Sequence, residues 1–320
     1  MRYLAFRFLT PKLMLKKFSS KLFILPLIIM TFVPTVAEAQ LSDEVISVID
    51  MSLNYNIHPK IKYLTANNQD LYLDIYQNNN PGLHPTLIFI HGGGWVARNK
   101  DVSARFVWPY LAMGFSVVHV EYRVASMYHA PAAVEDNLCA LRWVIQNAEE
   151  YGFDPDKIVV AGNSAGGHLA LTTGMIPAEA GLDRQCPGSE KLKVAAIINV
   201  LGPTNVNDLL AGPNMRNYAV AWLGSQSDRE EIARRVSPIN YVRQDLPPIL
   251  TVHGEVDPVV PYTHAVRLHQ ALDEVGAPNQ LLTIFEKGHG DFSREENLQI
   301  YTTIQQFLIE HGVLEPSQKL

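Results

Sequence analysis

The chain has 320 residues, of which 47 % are hydrophobic and 18 % charged, and its formal net charge is −6. This length is sufficient for one large domain with a full core. The acidic balance, with no run of Lys or Arg beyond the N-terminal leader, excludes the basic surface that binding to nucleic-acid phosphates or anionic membranes requires.

The first 39 residues have the three regions of a secretory signal peptide. Six Lys or Arg residues precede an apolar run from Leu22 to Val33, and Ala37-Glu38-Ala39 supplies a cleavage sequence before Gln40. The alternative is an uncleaved membrane anchor, but the apolar run is shorter than the roughly 20 residues a spanning helix needs. We therefore expect export to the periplasm or the medium, and a mature chain of residues 40–320 with a net charge of −11.

From Ile61 onward, strand-like and helix-like patterns alternate, which predicts an α/β fold with a mostly parallel sheet flanked by helices. The expected strands, in chain order, are Ile61–Leu64, Leu71–Tyr76, Thr86–Ile90, Ser116–Tyr122, Lys157–Ala161, Val194–Val200, Ile249–His253 and Gln280–Phe285. The expected helices between and after them are Ala132–Tyr151, Ala165–Thr173 and Asn297–His311.

Two segments do not follow this alternation. Residues 205–242 are polar, contain Gly212-Pro213 and have a helical segment of their own at Asp228–Arg235. We interpret this insertion as a small lid or cap, since long irregular insertions often serve as binding loops; an ordinary surface excursion is the alternative. Gln40–Lys60, before the first expected strand, is interpreted as a short cap arm.

Gly162-Asn163-Ser164-Ala165-Gly166 has the G-x-S-x-G pattern and lies between an apolar strand and a helix rich in small residues. In that context the serine hydroxyl lies on a sharp strand-to-helix turn, and the helix N-terminus favours negative charge beside it. Ser164 is therefore the candidate nucleophile. A phosphate-binding loop is the alternative, but no Lys-Ser/Thr pair of a P-loop follows.

His91-Gly92-Gly93-Gly94-Trp95 also follows an apolar strand. Consecutive glycines let the main chain approach a bound molecule and direct N–H groups toward it. We expect the amides of Gly93 and Gly94, with that of Ala165, to form an oxyanion hole. The alternative is a merely flexible turn.

An activated serine needs a base and a group that orients the base. His289 lies between glycines just after an expected strand, and we assign it as the base. Asp257, after the strand ending at His253, is the expected acid. Glu255 and Asp291 are the competing carboxylates.

The remaining histidines are given other roles. His168, in the helix after the serine, is interpreted as a packed residue, and His91 and His253 as residues that brace loops. His129 is a weak candidate for contact with substrate, as is Trp95, which either lines the pocket or braces its loop. No pattern of His and Cys residues has the spacing of a zinc site, so we expect no metal.

The chain has two cysteines, Cys139 in the long expected helix and Cys186 in a polar loop. Export permits a disulfide between them. The sequence leaves open whether they are bonded or are one buried and one exposed thiol.

Together these residues resemble the α/β-hydrolase superfamily, and within it the esterase/lipase branch related to hormone-sensitive lipase. HGGGW at 91–95, the segment 130–136, GNSAGGH at 162–168 and DPVVP at 257–261 carry the resemblance, which extends from Leu71 to His311. SAGGHL at 164–169 and HGEVD at 253–257 make the chain similar to secreted bacterial esterases of the feruloyl/acetyl-xylan type. It departs from the branch at Asn163, where Asp is usual.

The resemblance implies an α/β-hydrolase fold and hydrolysis of short-chain carboxylic esters without a cofactor. The predicted function is thus that of an exported serine carboxylesterase, acting on a small-molecule or polysaccharide-linked ester through Ser164, Asp257 and His289. The alternatives are a serine peptidase or amidase on the same fold and an inactive hydrolase-like binding protein. The natural ester and the oligomeric state are left open.

Overall fold

A computed structural model describes Ile49 and residues 53–98, 100–186 and 188–316. The predicted signal peptide, residues 1–39, lies outside the described residues, as does most of the segment 40–52. Among the described residues, no helix is both long enough and apolar enough to span a bilayer.

Eight strands form one sheet in the order β1-β2-β4-β3-β5-β6-β7-β8. Their bounds are β1 Tyr55–Ala66, β2 Gln69–Asn78, β3 His84–Ile90, β4 Ser116–Val120, β5 Phe153–Asn163, β6 Ala196–Val200, β7 Ile249–Gly254 and β8 Asn279–Ile284. Strand β2 pairs antiparallel with both β1 and β4, and the other pairings are parallel. The carboxyl ends of β3, β5, β6 and β7 therefore meet at one edge of the sheet, where α/β proteins bind their ligands.

Helices connect most of the strands. Their bounds are α1 Lys100–Ser103, α2 Trp108–Ala112, α3 Ala132–Gln146, α4 Ala148–Tyr151, α5 Ala165–Met175, α6 Asn217–Leu223, α7 Arg229–Arg235, α8 Thr263–Val275 and α9 Arg294–Glu310. Short 3-10 helices include Ala104–Phe106 between α1 and α2. Strand β3 has apolar side chains on both faces of the sheet, since Leu87 and Phe89 belong to one buried cluster and Ile88 and Ile90 to the other. Helices therefore cover both faces of the sheet. The α/β prediction is confirmed.

All eight expected strands are present, but the expected cap arm is wrong for its described residues. Tyr55–Lys60 form the first half of β1 at the outer edge of the sheet, where they pair with β2. Exposed polar side chains such as Asn56 and Lys60 interrupt the apolar alternation that indicates a strand. Edge strands commonly carry such charged residues, which discourage pairing with other chains.

Two helices differ from the predicted bounds. The expected helix Ala132–Tyr151 is divided at Asn147, whose side-chain amide donates to the carbonyl of Trp143. Helix α9 begins earlier than expected because Ser293 and Glu296 form a capping box, each bonding the other's backbone N–H.

Cys139 and Cys186 are joined by a disulfide, which resolves the alternatives that the sequence left open. The bond links the middle of α3 to the loop after α5. A cross-link across 47 residues stabilises the fold mainly by restricting the unfolded chain.

Residues 205–242 contain α6, α7 and three short 3-10 helices, and the predicted helix at Asp228–Arg235 is confirmed as α7. The segment is bonded to two neighbouring loops. Tyr218 donates to the carbonyl of Val259, and the carbonyl of Trp222 accepts from Ala130 N–H. Its function as a lid stays a prediction.

Candidate active site

Ser164 lies at the turn between β5 and α5 with φ 56° and ψ −123°. This is a strained backbone conformation for a non-glycine residue, and such strain is concentrated at functional sites. The Ser164 N–H donates to the carbonyl of Val200, which holds the turn against β6. A Cβ at Gly162 would lie 2.6 Å from Ile90 O, and one at Gly166 would lie 2.7 Å from His91 O. The flanking glycines are therefore what permits the turn.

His289 Nδ1 lies 2.6 Å from Asp257 Oδ2. Asp257 is fixed in turn, because its Oδ1 accepts hydrogen bonds from the N–H groups of Val259 and Val260 at 2.8 and 2.9 Å. His253 Nε2 lies 3.5 Å from Asp257 Oδ2. Burial opposes ionisation of Asp257, but the hydrogen bonds from His253, His289 and the backbone of Val260 hold its pKa well below the usual value. Asp257 is thus a carboxylate that accepts a hydrogen bond from His289.

The competing carboxylates have other partners. Glu255 is exposed, and its Oε2 accepts from Glu286 N–H at 3.2 Å. Asp291 Oδ1 accepts from Gly288 N–H at 3.1 Å and so closes the turn that carries the imidazole. Of the three carboxylates considered, only Asp257 contacts His289 Nδ1.

The expected oxyanion donors have no hydrogen-bond partner in the part of the chain that the structure describes. Within the described residues, no hydrogen bond has the N–H of Gly93, Gly94 or Ala165 as its donor. Ala165 is the first residue of α5, where helix geometry leaves N–H groups unpaired and the helix dipole favours an anion. Gly93 and Gly94 have φ values of 119° and 60°, which favour glycine. All three amides can therefore donate to a negatively charged oxygen.

A cavity of about 240 Å³, called here the serine cavity, is lined by Gly92, Gly93, Ser164 and His289 among other residues. The hydrogen bonds of the described residues do not include one between the Ser164 hydroxyl and His289. In enzymes without bound substrate this contact is often long and shortens in the reactive complex. Ser164, the candidate nucleophile, thus lines one space with His289, the candidate base, and Gly93, a candidate oxyanion donor.

A second, smaller cavity of about 70 Å³ adjoins the first, and we call it the aromatic cavity. Its apolar wall includes Phe89, Tyr110, Phe292 and Tyr301. Both cavities are lined by Phe106, Asn163, Leu201 and Gly290, so they lie against each other beside the serine.

Trp95 and His129, the weak pocket candidates, do not line the serine cavity. Trp95 is fully buried, stacks on Trp222 with ring centroids 4.2 Å apart, and donates from Nε1 to His168 Nδ1 at 3.2 Å. It braces the glycine loop, and the prediction that it contacts substrate is wrong because its ring is sealed from solvent. His129 is exposed and lies against Gly224.

His168 has the packed role expected from the sequence. Its Nε2 donates to Val236 O at 2.7 Å and its Nδ1 accepts from Trp95, so the ring is neutral. Burial lowers its pKa to about 3. His253 donates to the carbonyl of Val260 in the loop that holds Asp257. His91 stacks on Tyr122.

Sequence reasoning missed two residues beside the site. Tyr218 of the insertion packs against Gly94, where an added Cβ would lie 3.0 Å from the Cβ and 3.2 Å from the ring Cγ of Tyr218. Arg105 lines the serine cavity. Neither residue lies in a recognisable motif, and their positions follow from how the insertion and the α1–α2 segment pack.

The sheet order, the serine at the β5–α5 turn and the Asp257–His289 contact define an α/β-hydrolase fold. The chain belongs to the BD-FAE family, whose family model matches residues 73–272. It is also similar to esterases related to the hormone-sensitive lipase branch, as the motifs predicted.

Among relatives, Esterase LipQ of Mycobacterium tuberculosis is 31 % identical over 219 residues, which are 64 % of this chain and 50 % of that protein. The chain spans about half the length of the curated relatives it matches. A truncated carbohydrate esterase from gut microbiota superposes with a TM-score of 0.69 at 27 % identity, covering 81 % of this chain and 97 % of that one. Propionate-bound esterase 2 of Thermogutta terrifontis gives a TM-score of 0.67 at 28 % identity, covering 83 % and 97 %.

Proposed function

We propose that the protein is a serine carboxylesterase that hydrolyses short-chain acyl esters through an acyl-enzyme. The observation that carries this proposal is the 2.6 Å contact between His289 Nδ1 and Asp257 Oδ2, because His289 lines the same cavity as Ser164 and Gly93. The esterase names of the relatives and structural neighbours support the same reaction class.

In the first half-reaction, His289 Nε2 accepts the Ser164 hydroxyl proton as the oxygen attacks the ester carbonyl. The negative charge that forms on the carbonyl oxygen is stabilised by the amides of Gly93, Gly94 and Ala165. The imidazolium is stabilised by Asp257. His289 then protonates the departing alkoxide, and the acyl group stays on Ser164.

In the second half-reaction, water takes the place of the alcohol. His289 accepts a proton from the water as it attacks the acyl carbonyl, and the same amides stabilise the second oxyanion. The proton returns to Ser164 as the carboxylic acid leaves. No step needs a cofactor.

The preference for short acyl chains rests on the aromatic cavity beside Ser164. Its volume of about 70 Å³ is less than a third of the 240 Å³ of the serine cavity. We expect esters with acyl groups from acetyl to butyryl to be hydrolysed faster than esters with longer acyl chains. Solved structures of Thermogutta terrifontis esterase 2 with propionate and with butyrate support the same size range.

We also propose that the protein is exported after cleavage before Gln40 and acts on a small-molecule or polysaccharide-linked ester. The carbohydrate esterase among the structural neighbours supports the second kind of substrate. Mass spectrometry of the protein from the periplasm or medium tests export. A mature N-terminus at Gln40 is expected, and retention of residues 1–39 contradicts it.

The function is tested by measuring kcat/KM for p-nitrophenyl esters of increasing chain length, with aminoacyl anilides in parallel. We expect the maximum at two to four acyl carbons and a loss of about 10⁵-fold or more in Ser164→Ala, with unchanged thermal unfolding. Ser227→Ala, which alters an exposed serine of the insertion, is the matched control and keeps wild-type activity. Faster turnover of anilides than of esters, or undiminished activity in Ser164→Ala, contradicts the proposal.

A further inference from the structure

Arg105 lies on the wall of the serine cavity, in the 3-10 helix Ala104–Phe106 between α1 and α2. Its side chain is exposed, and its guanidinium carbon lies 4.8 Å from the centroid of the Phe106 ring. Phe106 lines both the serine cavity and the aromatic cavity. The stacking therefore holds the guanidinium at the junction of the two spaces without using its hydrogen-bond donors.

Within the described residues, Arg105 makes no ion pair and no hydrogen bond. Other arginines near this end of the sheet are paired. Arg98 Nη1 lies 3.2 Å from Glu121 Oε1, and Arg123 Nη2 lies 2.7 Å from Asp136 Oδ1. Among the described residues, none of those that line the serine cavity is Asp or Glu. Arg105 is thus a permanent cation whose donors are free to bind a molecule in the cavity.

We propose that Arg105 selects esters that carry a carboxylate, by binding that carboxylate beside the scissile bond. This inference rests on the proposed function of Ser164. A guanidinium binds a carboxylate through paired hydrogen bonds, because its planar N–H groups match the two carboxylate oxygens. Because the protein as a whole is acidic, with a formal charge of −6, a local cation is needed to admit an anionic substrate.

The carboxylate has two possible sources, the acyl part of the ester or its alcohol part. Two matched substrate pairs distinguish them. Monoethyl succinate and ethyl succinamate, each with four acyl carbons, differ in charge on the acyl side, and 4-acetoxybenzoate and 4-acetoxybenzamide differ in charge on the leaving group. The measured quantity is the ratio of kcat/KM for the anionic ester to that for its neutral partner.

We expect Arg105→Gln to lower this ratio about tenfold in one of the two pairs, and that pair identifies the source of the carboxylate. Arg105→Lys keeps part of the preference. Arg234→Gln removes the same charge from an exposed arginine that is paired with Glu231, and keeps the wild-type ratio. In wild type alone, 0.5 M NaCl lowers kcat/KM for the anionic ester more than for the neutral one.

The proposal is overturned if Arg105→Gln changes the ratio by less than about twofold in both pairs. It is also overturned if Arg105→Gln lowers kcat/KM equally for anionic and neutral esters, which indicates a structural role. Absence of esterase activity in the wild-type protein contradicts the proposed function itself. The two failures are therefore distinguishable.

Discussion

His289 Nδ1 lies 2.6 Å from Asp257 Oδ2, and the other carboxylate oxygen of Asp257 accepts two backbone N–H groups. Since the pKa of Asp257 is held well below its usual value, the carboxylate is ionised and Nδ1 must be the protonated nitrogen. The lone pair of Nε2 is then available as a base. The contact thus determines the tautomer as well as the orientation of the imidazole.

Replacement of Asp257 by Asn should lower kcat by about 10⁴-fold, because an amide can hold the wrong tautomer of His289. Steady-state kinetics on p-nitrophenyl acetate measures this loss. Glu255→Gln is the control, since Glu255 is exposed and contacts only the backbone of Glu286; its activity should stay near that of wild type. A loss of kcat that is larger in Glu255→Gln than in Asp257→Asn would show that Asp257 is not the acid that orients His289.

Gly92→Ala should lower kcat about 100-fold by displacing the serine turn from the oxyanion donors. A Cβ at Gly92 would lie 2.7 Å from Asn163 O and 3.4 Å from Ser164 Cβ. Gly276→Ala is the comparison: its φ of 70° makes alanine unfavourable by about 1 kcal/mol, but no atom lies within 4 Å of the new Cβ. That variant should lose stability and keep kcat. Equal kcat in the two variants would contradict the packing argument.

Trp95→Phe should destabilise the fold more than Trp222→Phe, by about 1–2 kcal/mol in urea unfolding. The two indoles stack on each other and both are fully buried. Only Trp95 has a partner for its N–H; removing it leaves His168 Nδ1 buried without a donor, whereas Trp222 Nε1 has no partner among the described residues. Equal destabilisation would show that the Trp95–His168 bond contributes nothing.

Acid should destabilise the fold well above pH 4. Burial lowers the pKa of His91 and His264 to about 4 and that of His119 and His168 to about 3. The unfolded chain protonates all four below about pH 6.5, so their contribution to stability is lost as pH falls through this range. Burial raises the pKa of Asp136 to about 6, which acts in the opposite direction.

Near pH 5 the unfolded state therefore binds about three more protons at these sites than the folded state, and the free energy of unfolding should fall by about 4 kcal/mol per pH unit. Urea unfolding between pH 7 and pH 4.5 measures the slope. His119→Gln removes one of the four groups and should reduce the slope by about 1.4 kcal/mol per pH unit. A stability that does not change over this interval would show that these imidazoles are protonated in the folded protein.

The strands and the candidate site residues could be predicted because their signals are local. Ser164 lies in a five-residue pattern between an apolar strand and a helix, and Asp257 and His289 each follow a buried strand, so a parallel sheet brings them to one edge. The structure places Asp257 against His289 as expected. Their catalytic roles stay predictions that the experiments above test.

Other features depend on packing that no local pattern encodes. Tyr55–Lys60 pair with β2 at an exposed edge of the sheet, so they carry polar residues and lack the apolar alternation that predicts a strand. The burial of Trp95 depends on Trp222, more than a hundred residues away. No carboxylate of the described residues pairs with the guanidinium of Arg105. The fold, and not a local sequence pattern, determines this. The sequence therefore predicts the candidate catalytic residues better than it predicts the residues that surround them.

The most direct test of the account is to identify the residue that becomes covalently modified. The wild-type protein is treated with a fluorophosphonate until esterase activity is lost, and its peptides are mapped by mass spectrometry. We predict one adduct, on Ser164, forming in step with the loss of activity, and none in Ser164→Ala. Inactivation with the adduct on another residue, or full inactivation with Ser164 unmodified, would contradict the central claim that Ser164 is the nucleophile.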